Sequence, residues 1–177
     1  MSQTFDFDEQ LSLGKEGERQ VKESVNGTLL EYETHPHLQR SGIDLTDDNH
    51  LIDVKTQAWK YIFTGNVPIE VFSVFEKQKP GWFYKGEADI IVWVYHNQRG
   101  QGLWHTGYVM PLTERLREWV NHNRELWRRV EVENDGRFGQ YTAINYLVPV
   151  PAFAPEHLIP FDIRHDNPSD VGDKVMP

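Results

Sequence analysis

The stretch that most constrains this chain runs over residues 42–56, where apolar and polar side chains alternate on both sides of a polar turn. Asp44 and Asp53 are each flanked by two aliphatic residues, and Lys55 follows Asp53 by two positions. Successive side chains of a β-strand point to opposite faces. The alternation therefore predicts a β-hairpin that turns its aliphatic residues to one face and its acids, with Lys55, to the other.

The turn of this hairpin predicts which residues lie opposite each other. Asp48 and Asn49 fit a two-residue turn, because Asp and Asn tolerate the positive φ that such turns require. That turn places Asp44 opposite Asp53, with Cβ atoms about 5 Å apart, where like charges repel. A divalent cation such as Mg²⁺ prefers oxygen ligands and would offset this repulsion, with Lys55 beside it.

The spacing of Asp44, Asp53, Val54 and Lys55 resembles the PD-(D/E)xK motif of the restriction-endonuclease-like nuclease superfamily. Ile43 stands where the motif usually has proline. The resemblance implies an endonuclease that hydrolyses DNA with Mg²⁺, for which Mn²⁺ can substitute. It also implies that Asp44 and Asp53 hold the cation with the Val54 carbonyl, while Lys55 orients or deprotonates the attacking water. A charged surface hairpin explains the same pattern without any chemistry.

A glutamate on the first predicted helix is a further candidate for this site. An N-cap at Ser12 and the stop signal of Asn26 and Gly27 predict a helix over residues 13–25. Glu18 falls on its apolar stripe. It either reaches solvent or a basic partner from the edge of the stripe, or it completes the acidic cluster and its cation site. Residues 14–19 resemble the corresponding segment of archaeal Holliday-junction resolvases in the same superfamily, which implies the second role.

Two more polar residues follow on predicted strands. Gln57 continues the polar face beyond Lys55, where it positions a water or a phosphate, or simply ends the strand in solvent. Residues 67–75 are apolar on both faces and predict a central strand, so Glu70 is an acid in a buried setting. Glu70 either pairs with a lysine or helps to hold the cation. The segment 64–70 resembles the one that follows the lysine in phage and bacterial members of the superfamily.

Two basic segments indicate where a nucleic acid would bind. Residues 76–87 interleave lysines with aromatic residues, as nucleic-acid grooves do. Residues 115–129 contain five arginines. A loop packed on aromatic residues explains the first segment equally well, and an exposed helical face with i,i+4 ion pairs explains the second. The candidate DNA contacts are Arg40, Lys77, Lys79, Lys85, Arg124 and Arg128.

Composition bounds the class of protein. The 177 residues are 38% hydrophobic and include no cysteine, so the chain can bury a core and suits a reducing cytoplasm without disulfides. No run approaches the ~18 apolar residues of a membrane span, so no membrane partner is expected. The net charge of −9 opposes DNA binding. Acids concentrated at both ends of the chain, and in the proposed cation site itself, weaken that objection.

The order of the predicted elements is helix, strand, acidic hairpin, central strand, second hairpin, helix and strand. This order predicts an α/β (α+β) fold with a central mixed β-sheet flanked by helices. The resemblance further implies a restriction-endonuclease-like core, in which a helix and a three-stranded antiparallel meander precede a crossover helix and a strand. We expect one nuclease-like domain over residues 1–152 and an acidic, proline-containing tail over residues 153–177. The later elements are strands over 88–95, 103–110 and 141–148 and a helix over 113–121.

Three functions are compatible with the sequence. The first is a Mg²⁺-dependent DNA endonuclease, and the second is a catalytically silent nucleic-acid-binding or interaction module on the same fold. The third is a structural domain whose hairpin is only a charged surface. The sequence leaves open the DNA structure that is recognised, the choice between DNA and RNA, and whether the chain is a monomer or a homodimer.

Overall fold

The chain forms two β-sheets and four α-helices within the residues that the computed structural model describes, which are 7–25, 28–30, 34–47, 49–58, 64–96, 104–136 and 139–164. The helices are α1 (Phe7–Val25), α2 (Pro36–Arg40), α3 (Trp82–Lys85) and α4 (Glu114–Asn123). The strands are β1 (Thr28–Leu29), β2 (Leu45–Thr46), β3 (Leu51–Ala58), β4 (Asn66–Val74), β5 (Lys79–Pro80), β6 (Ile90–His96), β7 (Trp104–Pro111), β8 (Arg128–Gly136), β9 (Gly139–Pro149) and β10 (Ile159–Arg164). Single 3-10 turns cover Phe75–Lys77, Arg124–Leu126 and Val150–Ala152.

The first sheet is mixed and the second is antiparallel. The first has six strands in the order β1-β2-β3-β6-β7-β10, and the second has four in the order β5-β4-β9-β8. Strands β3 and β6 run parallel, whereas the other neighbouring pairs in the described chain run antiparallel. The prediction of a mixed α/β fold with a mixed sheet flanked by helices is therefore confirmed.

The predicted acidic hairpin is formed by β2 and β3, in the predicted register. Leu45 lies opposite Ile52, and the Asp44 amide donates to the Ile52 carbonyl at 2.9 Å. Asp44 directly precedes the paired residues of β2 and bonds to the carbonyl of the residue that faces Leu45, so its direct pairing with Asp53 stays a prediction. The predicted turn residue Asp48 lies outside the described residues.

Helix α1 packs on the face of the first sheet that carries the aliphatic residues of the hairpin. It ends at Val25, as predicted, but begins at Phe7, so Ser12 lies inside the helix and does not cap it. Val21 is fully buried against a cluster that also contains Leu45, Ile52, Val54, Val92 and Val94. Burial of each such side chain stabilises the fold by about 1.5–3 kcal/mol. This packing fixes α1 over β3.

The other face of the first sheet packs against the second sheet. Ile91 and Trp93 alternate along β6 with the valines that face α1, and both join a cluster with Val67 and Ile69 of β4 and with Leu116 of α4. Because both faces of β6 are buried, its sequence is apolar throughout, as expected for an interior strand. The cluster joins the two sheets and α4.

The structure corrects several predicted elements. The central strand predicted over residues 67–75 forms as β4, but in the second sheet rather than beside the acids. The side chain of Thr113 caps α4 by accepting from the Leu116 amide at 3.1 Å. This helix ends at Asn123, so the five arginines do not share one helical face. Strand β8 was not predicted.

The folded part of the chain continues beyond the predicted domain boundary. Phe153 and Leu158 are 9% and 6% exposed, and β10 pairs with β7 along the edge of the first sheet. Apolar burial and strand pairing therefore include residues up to Arg164 in the domain, and the boundary predicted at residue 152 is wrong. Residues 165–177 lie outside the described part.

Candidate active site

The charged face of β3 carries an acid and a lysine in direct contact. Asp53 is only 3% exposed, and the Lys55 Nζ lies 2.6 Å from Asp53 Oδ1. Both side chains emerge on the face opposite Ile52 and Val54, as strand geometry requires. The alternation of the sequence therefore places an ion pair at the edge of the core.

Asp44 is held beside this pair by hydrogen bonds from its own backbone and its side chain. Its amide donates to the Ile52 carbonyl at 2.9 Å, and its carbonyl accepts from the Leu30 amide at 2.9 Å. Its carboxylate Oδ2 accepts from the Val54 amide at 2.8 Å. The Asp44 side chain is therefore oriented by the sheet before any ligand binds. Val54 enters the site through its amide, and the role predicted for its carbonyl stays a prediction.

The two aspartates perturb each other's ionisation. Burial raises the pKa of Asp44 to about 7, and the neighbouring Asp53 carboxylate contributes in the same direction. Burial also raises the pKa of Asp53, against the opposing effects of Lys55 and of a hydrogen bond from Asp44. Like charges close together in a partly dry site resist joint ionisation. A cation between the two carboxylates would remove that resistance.

Glu18 reaches the same site from α1 because a glycine lets the helix approach β3 closely. A Cβ atom on Gly17 would lie 1.9 Å from the Thr56 Oγ1, so any larger residue would push the two elements apart. Burial raises the pKa of Glu18, Lys15 lowers it, and Asp53 raises it. The Glu18 carboxylate therefore lies within electrostatic reach of Asp53, as the prediction for this helix requires.

Glu70 approaches from the second sheet. Its Oε1 accepts a hydrogen bond from the Trp82 amide at 3.1 Å. Burial raises the pKa of Glu70, whereas the Trp82 hydrogen bond and Lys55 lower it and Asp53 raises it. Glu70 is therefore a fourth carboxyl group near Lys55.

Trp82 lies over the lysine of the site. The Lys55 Nζ is 6.0 Å from the centre of the Trp82 ring, which packs edge-on against Trp93 at 6.0 Å. An ammonium near an aromatic face is stabilised by the negative potential of the ring. Lys55 thus lies between an acid and an aromatic ring.

Several residues of this site were not predicted. Besides Gly17 and Trp82, they include Lys15, which acts on Glu18, and Gly42. Gly42 has φ +80°, and a Cβ on it would lie 3.7 Å from Asp53 Oδ2. The glycine between Glu16 and Glu18 was the available signal for a close helix approach. No local pattern indicates that Trp82 contacts Lys55, because the contact joins two separate strand-helix units.

The predicted DNA-binding residues fall into two groups. Lys79 and Lys85 act on the acids of the site. The charge of Lys79 lowers the pKa of Glu70, and the charge of Lys85 lowers the pKa of Asp53. The Lys85 Nζ also donates to the Arg40 carbonyl at the end of α2. The remaining predicted residues lie on other elements: Gln57 on β3 opposite Tyr95, Lys77 in an exposed 3-10 turn, Arg124 in the turn after α4, and Arg128 on β8.

The donor chemistry of the site suits a hard divalent cation, since its acids offer only carboxylate oxygens. In the described part of the chain, however, no three acidic or histidine side chains are grouped closely enough to hold one ion. One oxygen of each aspartate is already engaged, because Asp53 Oδ1 faces Lys55 and Asp44 Oδ2 faces the Val54 amide. Binding of Mg²⁺ by Asp44, Asp53 and Glu18 stays a prediction.

Comparisons of the chain with protein-family models, with curated proteins and with solved structures found no match. Among the described residues, no helix is both long and apolar enough to cross a membrane.

Proposed function

We propose that this chain is a Mg²⁺-dependent endonuclease that hydrolyses phosphodiester bonds in DNA. The observation that carries the proposal is the convergence of four carboxyl groups on one lysine. Glu18, Asp44, Asp53 and Glu70 come from four separate segments, and Lys55 is the cation that contacts one of them directly. The site therefore gathers more negative charge than its own ammonium offsets.

A purely structural role explains this arrangement poorly. Removing a carboxylate from water costs several kcal/mol unless it is paired and hydrogen-bonded. Asp53 has Lys55 as a partner, whereas the half-buried Asp44 carboxylate accepts from the Val54 amide and lies beside a second carboxylate, and its pKa is raised accordingly. Shifted pKa values of this kind concentrate where acids are gathered for chemistry. The cost to stability supports a functional site.

The topology supports the restriction-endonuclease-like core that the sequence resembles. Helix α1 is followed by the antiparallel meander β1-β2-β3, and β6 then lies parallel to β3. A parallel neighbour requires a crossover connection. Here the crossover contains β4, β5 and the short helix α3 rather than one long helix.

The proposed mechanism assigns each side chain a distinct task. Asp44, Asp53 and Glu18 would hold Mg²⁺ with the Val54 carbonyl, and the sheet orients Asp44 for this task. The cation, when bound, lowers the pKa of a water molecule and offsets charge on the phosphate. As an ammonium, Lys55 would supply positive charge at the scissile phosphate and orient the attacking water, whereas only its neutral amine could accept the proton of that water.

Phosphate contacts would extend outward from this centre. Lys79 and Lys85 lie beside the acids and would hold the strand next to the cut bond. Arg40, Lys77, Arg124 and Arg128 are the more distant candidates, and contacts of this kind make DNA affinity depend on salt. The cytoplasmic location and the choice between monomer and homodimer stay predictions.

One observation favours a second function, a catalytically silent nucleic-acid-binding module on the same fold. The ammonium of Lys55 lies 2.6 Å from Asp53 Oδ1, where a cation ligand would otherwise face the ion. A permanent ion pair there would leave the lysines at the rim able to bind DNA without cleavage.

Cleavage of a panel of linear, flap, mismatched and four-way-junction DNAs tests the proposal. We expect products with Mg²⁺ or Mn²⁺ and none with excess EDTA. Binding in Ca²⁺ by gel shift, without products in any cation, would support the silent module instead. Equal cleavage in EDTA would contradict the cation-dependent mechanism. If the protein neither binds nor cleaves DNA, the hairpin has only a structural role.

A further inference from the structure

We infer that Trp82 is a positioning residue for Lys55, and that Glu70 acts on the site through Trp82 rather than as a ligand of the cation. The inference rests on the proposed nuclease activity. Under this assignment Glu18, Asp44 and Asp53 are the proposed cation ligands, and Glu70 instead helps to fix the position of Lys55.

The contacts of Glu70 lead to α3. Its Oε1 accepts from the Trp82 amide at 3.1 Å, and the Gly81 amide donates to the Val71 carbonyl at 2.9 Å. A Cβ on Gly81 would lie 2.4 Å from the Glu70 carbonyl oxygen, so this segment lies directly on β4. This hydrogen bond holds the Glu70 carboxylate against the backbone at the start of α3. Glu70 therefore fixes the start of α3.

The remaining residues of α3 are fixed on other sides. Phe83 is fully buried, and its carbonyl accepts from the Arg117 Nε at 3.4 Å. The Tyr84 hydroxyl donates to the Asn121 side chain, and the Lys85 Nζ donates to the Arg40 carbonyl. A helix of four residues has little stability of its own. These contacts instead hold it at a defined place.

The side chain that this arrangement presents to the site is Trp82. Its ring is supported edge-on by Trp93 and by Phe83, at centre-to-centre distances of 6.0 and 5.8 Å. The Lys55 Nζ lies 6.0 Å from the ring centre and 2.6 Å from Asp53 Oδ1. A lysine has long, rotatable side-chain bonds, so these two contacts limit where its ammonium can go. The ring thereby holds the Lys55 ammonium beside Asp53.

Steady-state cleavage of the best DNA substrate by four variants, Trp82→Leu, Trp82→Phe, Glu70→Ala and Glu70→Gln, tests the assignment. We expect Trp82→Leu and Glu70→Ala to lower kcat at least about tenfold with KM nearly unchanged, because a misplaced lysine affects the reaction more than binding. Trp82→Phe should keep activity within about threefold, since phenylalanine also offers a ring face. Glu70→Gln should do the same, because its side-chain oxygen still accepts from the Trp82 amide.

Calorimetric titration with Mn²⁺ alone separates positioning from ligation. The Mn²⁺ affinity of both Glu70 variants should stay within about twofold of wild type, whereas loss of a carboxylate ligand should lower it at least about tenfold, because the number of charged ligands sets the affinity for a hard cation. Such a loss in Glu70→Gln would overturn the role assigned to Glu70. Full kcat in Trp82→Leu would overturn the role of Trp82. Trp119→Leu, which removes a half-buried tryptophan from the same core, is the control and should lower Tm without changing kcat.

Thermal melts test the contact between Trp82 and Lys55 even if the protein cleaves no DNA. The Tm of the Trp82→Leu, Lys55→Met double variant should fall by less than the sum of the two single changes, because both remove one interaction. Additive losses would show that the ring and the ammonium do not interact. Failure of the wild type to cleave any DNA would instead contradict only the nuclease proposal.

Discussion

Two charged regions of this chain, the acids of residues 42–56 and the arginines of residues 115–129, point equally to a nucleic-acid enzyme in the sequence but differ in the fold. Asp53 is 3% exposed and Asp44 is largely buried beside it. The arginines are divided among α4, a 3-10 turn and β8. The two regions carry opposite net charge in the sequence, and in the fold they also differ in burial.

The arginines largely find partners at the surface. Arg115 lies 3.8 Å from Glu156, Arg124 lies 3.5 Å from Glu125, and Arg129 lies 2.8 Å from Glu131, with side chains 41–79% exposed. Exposed pairs of this kind contribute about 0–1 kcal/mol each. Burying a carboxylate costs more free energy of folding than an exposed ion pair contributes, so the buried acids indicate a function more strongly than the surface arginines do.

The largest effect should come from removing an acid of the buried cluster. Asp53→Asn should lower the rate of DNA cleavage by more than about a thousandfold, because the oxygen that faces Lys55 and the proposed cation loses its charge. Asp47→Asn is the matched control within the same hairpin, since the Asp47 side chain contacts only neighbours in its own turn among the described residues, namely the Asn49 and His50 amides and the His50 ring. Cleavage rates and circular dichroism of both variants would measure the effect. Equal losses would remove the distinction between the two acids.

The stability of the cation-free protein should fall as the pH rises. Asp44 has a pKa of about 7 in the fold against 3.8 in a model compound, so the folded chain holds its proton to higher pH than the unfolded chain. The contribution of Asp44 to the free energy of unfolding is fully present below about pH 4. It is lost as the pH rises through 7, and the loss is at most about 4 kcal/mol. Glu18, Asp53 and Glu70 act in the same direction, because their pKa values are raised too.

Urea unfolding in EDTA from pH 4 to pH 8 would measure this loss. Asp44→Asn should flatten the profile and be more stable than wild type at pH 8, since asparagine does not ionise. Mg²⁺ at pH 8 should stabilise wild type more than the variant, because a ligand that binds only the folded state stabilises it. If Asp44→Asn instead destabilises the protein and keeps the full response to Mg²⁺, Asp44 is a structural acid.

A smaller effect should follow from moving α1 away from the acids. Gly17→Ala should destabilise the protein by about 1–3 kcal/mol, because its Cβ would overlap Thr56 and force the helix outward. Gly14→Ala in the same helix has no neighbour within 4 Å of the added Cβ and should stabilise by up to about 1 kcal/mol. Chemical denaturation measures both. Adding Thr56→Ala to Gly17→Ala should restore part of the loss, and no restoration would contradict the proposed overlap.

The smallest effect should come from the surface arginines. Arg124→Ala combined with Arg128→Ala should weaken DNA binding several-fold and lower the slope of log affinity against log salt by at most about 2. Arg115→Ala is the control, because Arg115 is an exposed arginine of the same segment that is not among the candidate DNA contacts. Binding in Ca²⁺ at several salt concentrations would measure the slopes. An unchanged slope in the double variant would leave these arginines as surface residues only.

The acidic hairpin could be predicted because each step of its geometry is local. Alternation sets the two faces of β3, and turn chemistry predicts the register of Leu45 with Ile52, so nearby residues are enough to bring the two acids to one end of the hairpin. Strand β8 could not be predicted in the same way. Its residues are polar enough to resemble an exposed helix, and it forms a strand because β9 offers hydrogen-bonding partners along its length.

The predictions for the start of α1 and for the end of the domain were wrong for related reasons. Ser12 is a good capping residue, but the helix continues through it to Phe7 because a local cap competes with further helical hydrogen bonds. The prolines near residue 150 suggested a tail, yet Phe153 and Leu158 find apolar partners in the core. Such partners come from distant segments, which local signals do not show.

The sequence by itself determined the mixed fold class, the hairpin, its register and the acids with Lys55 on one face, because these depend on periods of two residues and on turn chemistry. Only the tertiary structure decided that Glu18 and Glu70 approach the same lysine, that Trp82 lies over it and that the arginines remain at the surface. Those contacts depend on how closely α1 and α3 pack on the sheets. Close packing is set by the shapes of many distant side chains together, here including Gly17 and Gly81, and not by any local pattern.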